Sequence, residues 1–122
     1  MAARVLIAED DDSIVTSLEF LMRGCGFETR VAKDGEAALA SVGDFRPDVV
    51  ILDLMLPRRS GLEVCREVRG KAEWKGTRVL MLTAKGGSSE RASSLAAGAD
   101  DYLMKPFSTQ DLVKRVKALV PQ

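Results

Sequence analysis

The stretch VVILD at residues 49–53 decides the fold, because four consecutive apolar residues end directly at a carboxylate. A continuous aliphatic run of this length predicts a strand, Val49–Leu52, that is buried on both faces of a sheet. Two further runs have the same character, VLIA at residues 5–8 and VLML at residues 79–82. Strands buried on both faces are typical of parallel sheets that are covered by helices on each side.

Weaker apolar runs complete a set of five predicted strands, which alternate with five helical patterns. The predicted strands are Val5–Ala8, Glu28–Val31, Val49–Leu52, Val79–Leu82 and Tyr102–Met104. The predicted helices are Ser13–Arg23, Asp34–Val42, Leu62–Arg69, Ser88–Ala97 and Ser108–Leu119. Because a helix follows each strand, the connections are expected to be right-handed crossovers between parallel strands. We therefore expect one α/β domain over residues 1–122, with an open parallel sheet between two layers of helices.

Composition restricts the chemistry open to the chain. The 18 Lys and Arg residues balance 18 Asp and Glu residues, and this zero net charge argues against direct nucleic-acid binding. No apolar run reaches the length of a membrane span, and two cysteines, Cys25 and Cys65, are too few for a disulfide framework, so we expect a cytoplasmic location. The chain has no histidine, which excludes Ser-His-Asp centres and histidine-ligated zinc. Any metal must have oxygen ligands, which favours Mg²⁺ or Ca²⁺.

Polar residues stand directly after the predicted strands, at the edge where open α/β sheets carry their functional crevice. The acids Glu9–Asp12 follow the first strand, Asp53 the third, Thr83 the fourth and Lys105 the fifth. Clustered carboxylates repel one another unless a cation intervenes, and Mg²⁺ accepts such oxygen ligands. A carboxylate there can attack phosphorus, while a hydroxyl and an amine bind the phosphoryl oxygens. The sequence thus predicts a phosphoryl-transfer site, and the glycine-rich stretch Lys85–Gly87 predicts a mobile loop beside it.

Four segments of the chain, in this order and spacing, resemble the receiver domain of bacterial two-component response regulators. They are VLIAEDDDSI, DVVILDLMLPRRSGLEV, VLMLTAKG and AGADDYLMKPF, and they extend over almost the whole chain. The resemblance implies a flavodoxin-like (βα)5 sandwich with strand order 2-1-3-4-5. It also implies a switch that accepts a phosphoryl group from a sensor histidine kinase or a phosphotransfer protein. Such a domain catalyses only its own phosphorylation and dephosphorylation, so we expect no enzyme acting on an external metabolite.

The resemblance also assigns roles to individual residues. Asp53 is expected to be the phosphoacceptor, with Thr83 as the switch hydroxyl and Lys105 as the amine that pairs with the phosphoryl group. The expected Mg²⁺ ligands are the carboxylates of Glu9, Asp10 and Asp53. The backbone carbonyl of Met55 is expected to be a further ligand. Pro106 matches a proline that usually follows a cis peptide bond.

The region around the fifth strand carries a predicted switch and a predicted dimer face. Tyr102 matches an aromatic residue that changes rotamer when Thr83 moves. The same region resembles receivers attached to winged-helix transcription factors, which dimerise through the fourth helix, fifth strand and fifth helix. The ion pairs expected between two chains are Arg91–Asp111 and Asp101–Arg115. A simpler interpretation stays open, because Ser108 and Asp111 also form the S-x-x-D pattern of a helix capping box.

Single residues have simpler interpretations, which stand beside the functional ones. Asp53 alone would fit a turn or a helix cap, Thr83 the end of a strand, and Lys105 the protein surface. Asp12 is the predicted N-cap of the first helix, and Asp11 also lies where the helix dipole favours an acid. Only the combination of acids, hydroxyl and amine at neighbouring strand ends favours phosphoryl transfer.

Three alternatives stay open at the level of the whole protein. The chain could be the receiver fragment of a larger DNA-binding regulator or of a hybrid kinase. A phosphatase with an aspartyl nucleophile is disfavoured, because such enzymes generally have a second aspartate where this chain has Met55. A protein-binding module without phosphorylation would lack the acceptor or the metal ligands, and all of these are present.

Overall fold

Five parallel strands form one sheet in the computed structural model, which describes residues 2–84 and 88–121. The strands are β1 Arg4–Ala8, β2 Glu28–Ala32, β3 Val49–Asp53, β4 Arg78–Thr83 and β5 Asp101–Met104. The helices are α1 Asp12–Gly24, α2 Gly35–Phe45, α3 Gly61–Gly70, α4 Ser88–Ala96 and α5 Thr109–Leu119, with a 3₁₀ turn at Ala72–Trp74. The strand order β2-β1-β3-β4-β5 confirms the predicted flavodoxin-like fold. The predicted mobile loop Lys85–Gly87 lies outside the described residues.

The sheet separates two hydrophobic cores, one against each layer of helices. Every side chain of β3 is buried, as predicted for a strand covered on both faces. Val50 and Leu52 point into the core shared with α2 and α3, whereas Val49 and Ile51 point into the core shared with α1 and α5. Truncating one such side chain to alanine typically costs about 2–5 kcal/mol. The central strand therefore gives Asp53, at its end, a rigid support.

The N-cap of α1 is Asp11, so the prediction of Asp12 was wrong. The Asp11 carboxylate accepts hydrogen bonds from the Ser13 hydroxyl and from the backbone N–H groups of Ser13 and Ile14. These bonds to the ionised form, led by that of the hydroxyl, lower the pKa of Asp11. Asp12 is instead the first helical residue and pairs with Lys33. The prediction missed the observed N-cap by one residue, because Asp11 and Asp12 are both acids and either would suit the helix dipole.

The capping box suggested by the sequence at the start of α5 forms only in part, whereas a complete one forms at α3. Ser108 caps α5 by accepting a hydrogen bond from the backbone N–H of Asp111. The Asp111 carboxylate pairs with Arg115 at 3.0 Å, so only half of the box suggested by the pattern forms. A complete box forms at the start of α3, where Ser60 and Glu63 each accept a hydrogen bond from the other's backbone N–H.

Two helices end at residues with a left-handed backbone. α2 continues to Phe45, three residues beyond its predicted end, and stops where Arg46 adopts a φ of 54°. α4 ends at Ala96, one residue before its predicted end, and Gly98 follows with a φ of 101°. A Cβ at Gly98 would lie 2.3 Å from the Arg69 side chain, so the turn before β5 requires glycine.

None of the helices within residues 2–84 and 88–121 combines the length and the apolar composition that a bilayer crossing requires. Cys25 and Cys65 are both free thiols. Cys65 is buried in α3, and burial raises the pKa of its thiol to about 11, so it stays protonated at neutral pH.

Candidate functional site

Side chains from three strand ends meet at the carboxyl edge of the sheet. Glu9, Asp10 and Asp53 each offer a carboxylate oxygen, and these oxygens lie within 4.8 Å of one another. The Lys105 ammonium nitrogen lies 2.8 Å from Glu9 Oε1 and 3.5 Å from Asp53 Oδ1. The parallel arrangement of the strands thus brings together four of the side chains that the sequence analysis selected.

Glu9 is only 1% exposed, and the start of the next loop holds its carboxylate in place. Its Oε2 accepts hydrogen bonds from the backbone N–H groups of Asp10 and Asp11 at 3.1 and 3.2 Å. Burial raises the pKa of Glu9, and the negative charge of Asp53 acts in the same direction. The bonds from Lys105 and Asp11 offset only part of this effect. A further cation at this position would stabilise the ionised carboxylate.

Lys105 gives the acidic cluster its one nearby positive charge among the described residues. Burial acts to lower the pKa of Lys105, but the hydrogen bond to Glu9 and the charges of Asp53 and Glu9 outweigh it, so the pKa is raised. The amine is therefore protonated at neutral pH. The cluster has three carboxyl groups and one amine, so its acidic groups outnumber its cation by two, and a divalent cation could balance this difference. The peptide bond between Lys105 and Pro106 is cis.

Thr83 ends β4 next to the acidic cluster, with its side chain fully buried. Its hydroxyl has no hydrogen-bond partner in the described part of the chain. Leaving a buried hydroxyl unpaired costs roughly 1–3 kcal/mol. The N–H of Leu54, the residue after Asp53, donates to the Leu82 carbonyl of β4 at 2.9 Å, so the ends of β3 and β4 lie side by side. Thr83 therefore lies at the same edge of the sheet as Asp53.

Met55 lies in the loop that follows Asp53. Its backbone N–H donates to Asp53 Oδ1 at 3.2 Å, while the residue as a whole is 71% exposed. At the start of α3, the Gly61 N–H donates to the Leu54 carbonyl at 2.9 Å. A Cβ at Gly61 would lie 2.4 Å from the carbonyl oxygen of Asp53, so only glycine allows this close approach. The sequence analysis missed Gly61, although its place just before a helical pattern was a usable signal.

The face formed by α4, β5 and α5 is already paired within a single chain. Arg115 forms ion pairs with Asp101 at 2.8 Å and with Asp111 at 3.0 Å. The Arg91 guanidinium lies over the Tyr102 ring, 5.6 Å from its centroid. Tyr102 is half-buried and packs against the core on the side of α2 and α3. The pairs that the sequence analysis expects between two chains remain predictions.

Comparison with known proteins agrees with this geometry. The response regulator receiver domain family matches residues 5–117. The DNA-binding response regulator MtrA of Mycolicibacterium smegmatis is 46% identical over 118 residues, which cover 97% of this chain and 50% of that protein. The chain spans about half the length of the curated relatives it matches. The expected likeness to receivers of DNA-binding regulators is thereby confirmed.

Solved structures show the same relationship in three dimensions. A crystal structure described as a response regulator from Chloroflexus aurantiacus has a TM-score of 0.93 and 42% identity, with 98% of each chain covered. The receiver domain of the sensor histidine kinase PA1611 from Pseudomonas aeruginosa has a TM-score of 0.89 and 28% identity, again over 98% of each chain. That structure contains a magnesium ion coordinated in the active-site cleft. In sequence and in fold, this chain belongs to the receiver domain family of two-component response regulators.

Proposed function

We propose that this receiver domain is switched by transfer of a phosphoryl group to Asp53 in the presence of Mg²⁺. The cluster of Glu9, Asp10, Asp53 and Lys105 at one edge of the sheet carries the proposal. Phosphoryl transfer needs alignment of the reacting groups and neutralisation of charge. An aspartate that lies beside a lysine, in a cluster that attracts a cation, meets both needs. Phosphorylation would then change the contacts that the domain offers to a partner.

The residues present fit a magnesium ion. The chain would hold it with hard oxygen ligands, namely those of Glu9, Asp10, Asp53 and the Met55 carbonyl. When bound, Mg²⁺ supplies positive charge to the phosphoryl oxygens and helps to orient them. The magnesium in the related receiver of the kinase PA1611 supports this choice of metal.

The chain's own groups account for the transfer. An oxygen of Asp53 forms a bond to phosphorus while the P–N bond of a phosphohistidine breaks, and the imidazole nitrogen keeps the electron pair. The Lys105 ammonium and the Thr83 hydroxyl bind oxygens of the transferred group. Because these 122 residues contain no histidine, the donor lies outside them, and a sensor histidine kinase or a phosphotransfer protein fits that role. The later hydrolysis of the aspartyl phosphate needs only a water molecule, so no external metabolite is turned over.

The buried hydroxyl of Thr83, which has no hydrogen-bond partner among the described residues, supports a route from the site to the surface. If it bonds to a phosphoryl oxygen, it moves away from β4 and frees space toward Tyr102, whose ring lies under the Arg91 guanidinium. Displacement of the ring would alter the face of α4, β5 and α5, where Arg115 pairs with Asp101 and Asp111. Formation of the pairs Arg91–Asp111 and Asp101–Arg115 between two chains, in place of the pairs within one chain, would give a phosphorylation-linked homodimer in which the ion pairs set the register.

The relatives support a place for this domain in a larger protein. They are named DNA-binding response regulators, and this chain matches about half their length. We therefore propose that residues 1–122 form one receiver domain of a DNA-binding regulator that works in the cytoplasm. The net charge of zero supports a division of labour in which another domain contacts DNA. An aspartyl phosphatase is not supported, because Met55 provides no acid beside Asp53.

Phosphoryl labelling tests the proposal. We expect acetyl phosphate with Mg²⁺ to add one phosphoryl group to the wild-type chain and none to Asp53→Asn, as measured by intact-protein mass spectrometry. The matched control is Asp12→Asn, which removes an exposed carboxylate from the start of α1 and should leave labelling intact. Equal labelling of the wild type and Asp53→Asn would refute Asp53 as the acceptor.

A further inference from the structure

The loop between β3 and α3, residues 54–60, contacts a helix that contributes no side chain to the site. The carbonyl of Pro57 accepts hydrogen bonds from the Gly35 N–H at 3.1 Å and from the Arg59 N–H at 2.8 Å. Gly35 is the first residue of α2. The bond from Arg59 closes a tight turn centred on Arg58, whose φ of 70° is uncommon for a residue with a Cβ. The path of this loop therefore depends on the start of α2.

At Gly35 the structure has no room for a side chain. A Cβ there would lie 2.1 Å from the carbonyl oxygen of Arg59 and 2.4 Å from the Arg59 Cβ. These atoms belong to the backbone or are fixed to it, so a rotamer change cannot relieve the contact. Either the loop or the start of α2 would have to move.

A second contact ties the same helix to the same loop. Asp34 is the N-cap of α2, and its Oδ1 accepts a hydrogen bond from the Ala37 N–H at 2.8 Å. Its Oδ2 lies 3.7 Å from the Nε of Arg58, at the centre of the tight turn. The start of α2 thus holds the loop through one backbone hydrogen bond, one close approach and one ion pair.

We propose that Gly35 is a positioning residue for the metal site. By admitting the loop against α2, it keeps the Met55 backbone beside Asp53, where the Met55 N–H bonds to Asp53 Oδ1. This inference rests on the proposed function, because it concerns the carbonyl that would bind Mg²⁺. Changing groups that orient metal ligands typically lowers metal affinity about 10–100-fold.

The test compares two substitutions in α2 that both destabilise the helix. Gly35→Ala introduces the clash, whereas Ala40→Gly replaces an exposed helix-forming residue away from the loop and lowers Tm through helix propensity. Mg²⁺ affinity is measured from backbone amide NMR shifts during a titration, and Tm by circular dichroism. We expect Gly35→Ala to bind Mg²⁺ about ten-fold more weakly. Ala40→Gly should stay within about two-fold of the wild type, because distant sites are independent.

A metal-free measurement separates positioning from mere destabilisation. Without Mg²⁺, Gly35→Ala should shift the amide resonances of residues 54–61, and Ala40→Gly should not. Gly43→Ala is a further control, because a Cβ there would meet only the Trp74 ring at an ordinary 3.7 Å. Wild-type Mg²⁺ affinity in a folded Gly35→Ala would overturn the inference.

If Gly35→Ala does not fold, Asp34→Ala decides the question. It removes the cap and the contact with Arg58 without adding an atom, and Glu36→Ala removes the same charge from the same helical turn. We expect Asp34→Ala to weaken Mg²⁺ binding about three-fold more than Glu36→Ala, and equal affinities would overturn the inference. A wild-type chain that ignores millimolar Mg²⁺ would instead overturn the proposed function itself.

Discussion

The two edges of the sheet use polar residues in opposite ways. At the amino-terminal edge, Arg69 donates to the carbonyls of Gly98 and Thr77 and pairs with Asp100 at 2.8 Å. Asp100 also accepts a hydrogen bond from the backbone N–H of Val79 at 2.8 Å. These contacts tie the end of α3 to the starts of β4 and β5. The polar groups of this cluster find their partners within the chain.

At the carboxyl edge one buried hydroxyl has no such partner in the residues that the structure describes, and the acidic groups outnumber the cations. Thr83 has a buried hydroxyl with no partner among the described residues, and burial raises the pKa of Glu9. The charges of Glu9, Asp10 and Asp53 exceed that of the single Lys105 beside them. The polar contacts of the amino-terminal edge therefore stabilise the fold. The polar groups of the carboxyl edge lower the stability of the fold and are suited to binding a ligand.

The largest effect on stability should come from breaking the amino-terminal edge. Arg69→Met removes the nearest cation from the Asp100 carboxylate and a donor from two carbonyls, so we expect the free energy of unfolding to fall by about 3 kcal/mol. Urea denaturation measures this change. Arg66→Met, at an exposed position of the same helix, should change it by less than about 0.5 kcal/mol. Similar losses in both variants would show that Arg69 has no special role.

An intermediate effect of opposite sign should come from the carboxyl edge. The folded-state pKa of Glu9 is raised, so the folded chain binds the proton more tightly, and stability falls as pH rises above the ordinary glutamate range. Glu9→Gln removes this loss, and we expect it to raise the free energy of unfolding by about 1 kcal/mol at pH 7 without Mg²⁺. Urea denaturation from pH 4 to pH 8 checks this prediction. Parallel pH profiles for the two proteins would contradict it.

The smallest effects should come from two threonines, one at the end of β4 and one directly before its start. Thr83→Val removes a buried hydroxyl that has no partner in residues 2–84 and 88–121, and it should raise the free energy of unfolding by about 0.5–1 kcal/mol. Thr77→Val removes a hydroxyl that donates to the Pro47 carbonyl at 3.4 Å and should lower it by about 0.5 kcal/mol. Chemical denaturation of both variants in the same buffer gives the two signs. A loss of stability in both would remove this contrast between the edges.

The fold could be predicted from local patterns, because continuous apolar runs separated by helical periods have few other solutions. The run Val49–Leu52 became a strand only one residue longer. The four site side chains could be predicted for a related reason, since parallel strands bring their carboxyl ends to one edge. Neither inference required knowledge of a contact between distant residues.

The roles of Arg69 and Gly35 could not be predicted, because they depend on contacts between residues that are distant in the sequence. Arg69 bonds to residues 29 and 31 positions away, and Gly35 approaches a loop in another βα unit. Such partners become neighbours only when the sheet has formed. The prediction of Asp12 as N-cap failed for a different reason. Two adjacent acids are equally good candidates until it is known at which residue the helical backbone begins.

Trp74 has a consequence for spectroscopy. It is the only tryptophan of the chain and lies shortly before the start of β4, where its buried ring is covered by Lys71 and lies near α2. Its fluorescence therefore follows the packing of that region and gives a natural optical probe of unfolding. Events among the carboxylates at the other edge have to be followed with a probe placed there.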